Sequence, residues 1–129
     1  MSRSGSDVSQ GQQGDCVSMQ GRMNTIENHS QPDIVWFEPD FSSICSVGKR
    51  PFWGTIKFEY RPQGQLLEFI SVEEWITTLS SQELVIEDIA RLAFEEASRV
   101  LGDIPLRITV SARTTVHAPV MAQISRGGW

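Results

Sequence analysis

From Phe52 to Arg61 the side chains alternate, with Gly54, Ile56, Phe58 and Tyr60 on one side and Trp53, Thr55, Lys57 and Glu59 on the other. A period of two predicts a strand with one buried face. Pro62-Gln63-Gly64 interrupts it with turn chemistry. Gln65 to Ile70 then returns as a second strand, which predicts a hairpin. Ser71-Val72-Glu73-Glu74 fits a capping box, so a helix is expected from Ser71, with Glu74 reaching back. Ser80-Ser81-Gln82-Glu83 offers a second cap. After it, Val85, Ile89, Ala93, Ala97 and Val100 recur at helical spacing. Gly102 stands where glycine commonly ends a helix. Pro105 to Ala112 and Val116 to Ile124 predict a second hairpin. Upstream, Ile34 to Phe37 reads as a short strand or packed arm, and Pro39 with Asp40 to Ser43 as a bend.

The predicted order is strand, strand, helix, helix, strand, strand. That is an α+β arrangement, in which two helices cover one face of a four-stranded antiparallel sheet. A hairpin alone is marginal, and the helices supply the apolar cover it needs. Both sheet edges stay open, which favours pairing with another copy of the chain. Residues 1–30 are rich in Ser, Gly, Gln and Asn. Such a segment buries too little surface to offset its ordering entropy. It reads as a flexible extension, with the domain occupying 31–129.

Composition narrows the class. The chain has 129 residues, 40% of them hydrophobic, and a net charge of −5. One modest core is the expectation. The negative balance argues against nucleic-acid binding by a basic face. No apolar run approaches the roughly 20 residues of a membrane helix, so no membrane partner is expected. No signal-like apolar segment follows Arg3, and Cys16 and Cys45 are the two cysteines. Free thiols in a reducing cytoplasm are the corresponding expectation. His29 and His117 show no metal-ligand spacing with them, so no metal is expected. No phosphate loop or Ser-His-Asp arrangement stands out.

Three residues carry candidate chemistry. Cys45 follows Phe41-Ser42-Ser43-Ile44, with Lys49 and Arg50 close behind to supply positive charge. It reads either as a nucleophilic thiol, which needs a lowered pKa, or as a small buried apolar side chain. Glu87 lies in the first turn of the second predicted helix, between Ile86 and Ile89. It is placed either to accept paired hydrogen bonds from a heterocycle or simply to favour the helix dipole. Glu68, among Leu66, Leu67 and Phe69, is a site residue or a solvent-facing strand residue. Phe52 and Trp53 read as core packing.

The spacing of Phe41-Ser42-Ser43-Ile44-Cys45, Glu68 and Glu87-Asp88 resembles QueF, the NADPH-dependent nitrile reductase family of 7-aminomethyl-7-deazaguanine synthesis. The resemblance covers residues 34–125 and needs no gap from Phe41 to Glu87. It implies the tunnelling fold, in which sheets from several subunits close into a barrel ring, as a pentamer or a stacked decamer, with ligand sites between subunits. It places Cys45 as the catalytic nucleophile that attacks a nitrile carbon to give a thioimide. It places Glu87 as the ring-anchoring carboxylate, and Glu68, Phe69 and Ile86 as further substrate-binding positions.

The departures bear on function. The family's proton-donating aspartate is replaced by Phe52, and a histidine before the anchoring glutamate by Ile86. The cofactor motif Glu-Ser-Lys-Ser-x-Lys reads Glu68-Phe69-Ile70-Ser71-Val72-Glu73 here, with both lysines gone. A carboxylate at a phosphate position is repulsive. The expectation is therefore an enzyme without NADPH or another cofactor, acting on a small planar heterocycle or similar electrophile, in specialised natural-product biosynthesis as a cyclase, condensing or amidine- or thioimide-forming enzyme. A genuine nitrile reductase and a non-catalytic binding subunit are the rival readings.

Overall fold

The computed structural model describes residues 21–113 and 119–129. Eight strands and two α-helices follow in the order β1 (Thr25–Glu27), β2 (Val35–Phe37), β3 (Asp40–Cys45), β4 (Pro51–Tyr60), β5 (Gln65–Leu67), α1 (Phe69–Thr77), β6 (Glu83–Leu84), α2 (Ile86–Leu101), β7 (Leu106–Arg113) and β8 (Val120–Arg126). The mixed α+β class holds, but the main sheet has six strands with one parallel pair, β3 with β6, rather than the four antiparallel strands expected, because short β2 and β6 also pair into it.

Strand β4 is the spine of the main sheet, whose order is β6-β3-β4-β7-β8, with β2 also on β4. Antiparallel β7 runs along β4 from Tyr60↔Leu106 to Trp53↔Arg113. On its other edge β4 carries β3 at its beginning, with Phe41 opposite Gly54, and β2 at its end, with Phe37 opposite Phe58. The Asp40–Ser43 stretch, read as a bend, is thus strand. Its alternation, with Phe41 and Ser43 buried and Asp40 and Ser42 exposed, was hidden by polar residues on both faces. The second predicted hairpin forms as β7 and β8. Residues 114–118, with His117 and the predicted strand start at Val116, lie outside the described residues.

The first predicted hairpin does not form. Strand β5 ends at Leu67 and pairs with β1 in a separate two-stranded ribbon. The helix expected from Ser71 starts at Phe69, because Glu68 caps it: its carboxylate accepts from the Ile70 and Ser71 N–H groups at 2.8 and 2.9 Å. Ser71 is buried instead, donating to the Glu68 carbonyl and accepting from the Asn24 N–H. At α2 the Asp88 carboxylate accepts from the Val85 N–H at 3.3 Å, and Gly102, at φ 81°, ends the helix as expected. Ser80 and Ser81 belong to a short 3₁₀ turn rather than a cap.

Residues 21–30, expected in the flexible extension, belong to the folded domain. Met23 is fully buried. Its N–H donates to Glu96 at 2.8 Å, and Arg99 donates to its carbonyl. One apolar methionine and a ribbon partner supply the contacts that composition alone did not reveal. Residues 1–20, with Cys16, lie outside the described residues.

Ile56, Phe58 and Tyr60 of β4, with Leu106, Ile108 and Val110 of β7, meet Ile89, Ala93 and Ala97 of α2 and Val72 and Ile76 of α1 in one core. The residues between them point the other way. Trp36 and Trp53 are exposed there, and Arg107 grips Glu59 through two hydrogen bonds of 2.9 and 3.0 Å. Trp53, expected in the core beside Phe52, is on this helix-free side because strand neighbours face opposite ways.

Candidate functional site

Cys45 ends β3, and a parallel bridge sets its position. Ile44 lies opposite Glu83 and Cys45 opposite Leu84 of β6, and the Ser46 N–H donates to the Leu84 carbonyl at 3.3 Å. Val85 then caps α2, and Ile86 and Glu87 open it. The bridge thus brings the cysteine beside the strand that leads directly into the first turn of α2, where N–H groups and the helix dipole favour negative charge.

A tight turn follows Cys45. The Lys49 N–H donates to the Cys45 carbonyl at 2.8 Å, and the Cys45 N–H to the Arg50 carbonyl at 2.8 Å. The Gly48 N–H lies 3.4 Å from the Cys45 sulfur. The thiol pKa is lowered, first by the Gly48 N–H and then by the Val47 N–H; partial burial opposes this and the Lys49 charge adds to it. Cys45 is a free thiol and partly exposed. Lys49 is not a free cation: its ammonium pairs with Glu83 at 2.6 Å.

Glu87 is exposed, and its carboxylate has no hydrogen-bond or ion-pair partner among the described residues. Ile86, expected against a ligand, is buried in the core and seats the helix. Phe52 is likewise buried, edge-on to Phe41 at 5.8 Å, and brings no proton donor to its position.

The other two expected site residues lie elsewhere. Both carboxylate oxygens of Glu68 are engaged in capping α1. Phe69 is 46% exposed and meets Phe37 edge-on at 5.3 Å. It lines a cleft of about 380 Å³ with Glu38, Pro39, Asp40, Glu73, Ile76 and Thr77. Asp40 begins β3 and Cys45 ends it, about 16 Å apart at strand rise. One chain therefore holds two separate groups, Cys45 with the α2 start and Phe69 with the acidic cleft. Sequence reasoning missed Glu38, Asp40 and Glu83, because Glu83 reaches Cys45 through the β3–β6 pairing, and Glu38 and Asp40 reach the cleft where the start of β3 meets α1. Among the described residues no group of three His, Cys, Asp or Glu side chains is placed to hold a metal ion.

The fold belongs to a known class. It is similar to the crystal structure of the archaeosine synthase QueF-Like in the apo form, with a TM-score of 0.70 and 19% identity over 76% of this chain and 97% of that one. In sequence the chain is similar to the NADPH-dependent 7-cyano-7-deazaguanine reductase of Frankia casuarinae, 29% identical over 72 residues, 56% of this chain and 58% of the relative. It is also similar to the enzyme of the same name from Rhodopirellula baltica, 24% identical over 100 residues, 78% of this chain and 74% of the relative. The match thus spans little more than half the length of the Frankia relative. No protein-family profile matches the chain. The resemblance read from the Cys45, Glu68 and Glu87 spacing is therefore met by two curated relatives that carry the reductase name.

Proposed function

We propose that this chain is a QueF-like enzyme that binds a small planar nitrogen heterocycle of the deazapurine kind and does not use NADPH. Glu87 accepts hydrogen bonds from two adjacent ring N–H donors. The Cys45 thiolate adds to an electrophilic carbon; with a nitrile, the C≡N π bond opens, a C–S bond forms, and the nitrogen takes a proton to give a thioimide. The observation that carries this reading is the β3–β6 parallel bridge, which brings the strand-end cysteine to the segment opening α2 three residues before Glu87.

The cleft at the cofactor-motif position does not fit a dinucleotide phosphate. Glu38, Asp40 and Glu73 line it, and among the described residues no lysine or arginine does. Carboxylates facing a phosphate repel it. A genuine nitrile reductase is the second reading, favoured by the names of both curated relatives. Against it stand this acidic lining and the buried Phe52 at the proton-donor position. A cytoplasmic homo-oligomeric ring completes the proposal. The two groups that the chain keeps apart meet when a second copy brings its cleft to Cys45.

Intact-mass analysis of the purified chain with 7-cyano-7-deazaguanine tests the reading, alongside NADPH fluorescence titration. The expected result is an adduct on Cys45 and no NADPH binding below millimolar concentration. Micromolar NADPH binding with steady turnover establishes the reductase instead. Reversible binding without adduct or turnover marks a non-catalytic binding subunit.

A further inference from the structure

Lys49 stands out on two independent counts. Its backbone is left-handed at φ 59°, and Gln31 is the other non-glycine residue with positive φ among the described residues. A side chain at such a position is sterically disfavoured, and glycine is the usual occupant. Its ammonium also reaches across to β6, pairing with Glu83 at 2.6 Å. Both partners are well exposed, at 64% and 53%. Exposed pairs contribute little to global stability, so the pair is not there to hold the fold.

Its location gives it a local task. Glu83 sits on the strand opposite Ile44, and Lys49 closes the turn by donating its N–H to the Cys45 carbonyl. The turn between them carries the Gly48 N–H that meets the Cys45 sulfur at 3.4 Å. The Lys49–Glu83 contact is therefore a strut from the far end of the turn to the neighbouring strand. The contact ties the end of the turn that carries this N–H to the neighbouring strand.

We propose that Lys49 and Glu83 are a positioning pair that holds the 46–49 turn against β6 and so keeps the Gly48 N–H aimed at the Cys45 sulfur. This rests on the reading of Cys45 as the reacting group. It assigns the tuning of that group to an ion pair particular to this turn and not to a general base.

The test follows iodoacetamide alkylation of Cys45 against pH by peptide-resolved mass spectrometry, with Cys16 read separately as an internal reference. It needs no substrate, so its outcome is independent of whether the heterocycle reading holds. Breaking the strut from either side, by Lys49→Met or Glu83→Gln, raises the alkylation midpoint and slows the reaction at pH 7 by about threefold, the scale an exposed pair supplies. Lys49→Arg keeps both the charge and the pair and retains the wild-type midpoint. Unfolding midpoints of all variants are read in parallel and stay close to wild type. The proposal is overturned if either single variant leaves the alkylation midpoint unchanged, or if the two move it in opposite directions. It is also overturned if Lys49→Arg raises the midpoint as far as Lys49→Met does.

Discussion

Glu87 presents a carboxylate at the second position of α2, where the helix dipole stabilises its charge. Charge-assisted hydrogen bonds to two ring donors are worth roughly 1.5 to 3 kcal/mol each. On the proposed anchoring role, Glu87→Gln removes the charge and one acceptor and is expected to weaken heterocycle binding at least about tenfold, a loss of 1.4 kcal/mol; isothermal titration checks it. If Cys45 is the proposed nucleophile, Cys45→Ala keeps that binding and loses turnover, because the proposed bond forms only after docking. A second residue-scale prediction concerns Glu59, buried on the helix-free face. Hydrogen bonds from Arg107 hold its carboxyl below the usual carboxylate value; burial opposes them, and the Arg107 and Lys57 charges add to them. A carboxyl lowered in the fold stabilises it at pH above the unfolded value, and that contribution is lost as pH falls through the folded value. Acidification below about pH 4.5 therefore erodes stability. Arg107→Met lowers stability at pH 7 by removing both hydrogen bonds from the Glu59 carboxylate, which keeps Lys57 at 3.9 Å as a weaker partner. It also flattens the acid side of the unfolding-midpoint curve, which thermal unfolding between pH 7 and 3 reads directly.

Among the elements, β4 carries the most constraint. At Gly54 a Cβ would lie 1.9 Å from the Ser111 carbonyl oxygen of β7. No side-chain rearrangement relieves a clash with backbone, so the strands must part. Gly54→Ala destabilises the domain by about 1–3 kcal/mol, the cost of overpacking, measured by urea unfolding. The N-terminal ribbon depends on α2. Glu96 accepts from Met23, Arg22 and Arg99. Burial pushes its carboxyl up, yet the hydrogen bonds from Arg99, Met23 and Arg22 leave it lowered overall. Glu96→Ala leaves the Met23 N–H without its acceptor, which costs about 1–3 kcal/mol when buried. Limited proteolysis then cuts within residues 21–30 faster than in the wild type, while the sheet remains protected.

At the scale of the molecule, the sheet ends at β8, which pairs with β7 alone among the described strands. A seven-residue strand with one bare edge is a template for another chain. Closure by identical copies leaves no unpaired edge, and symmetric rings are how heterologous contacts terminate. Light scattering at micromolar concentration is expected to give a closed oligomer of about five copies, or twice that, as the family resemblance implies. A monomer at that concentration refutes the ring, and with it a site shared between copies.

The sequence by itself determined the elements whose signals are local. The period-two alternation of β4, the helical spacing of α2 and its glycine end, and the turn between β4 and β5 were all legible, because each follows from neighbouring residues. So was the spacing of Cys45 and Glu87 and its likeness to the reductases. Tertiary structure decided what depends on contacts between distant residues. It made Asp40–Ser43 a strand by giving it β4 to pair with, and turned β5 from β4 towards β1. It drew Met23 into the core, and moved the cap of α1 from Ser71 to Glu68 by burying the serine against Asn24. It also joined Glu83 to Lys49 beside the cysteine. Strand pairing across tens of residues leaves no periodic trace in the chain, so these partners emerge only once the sheet is assembled.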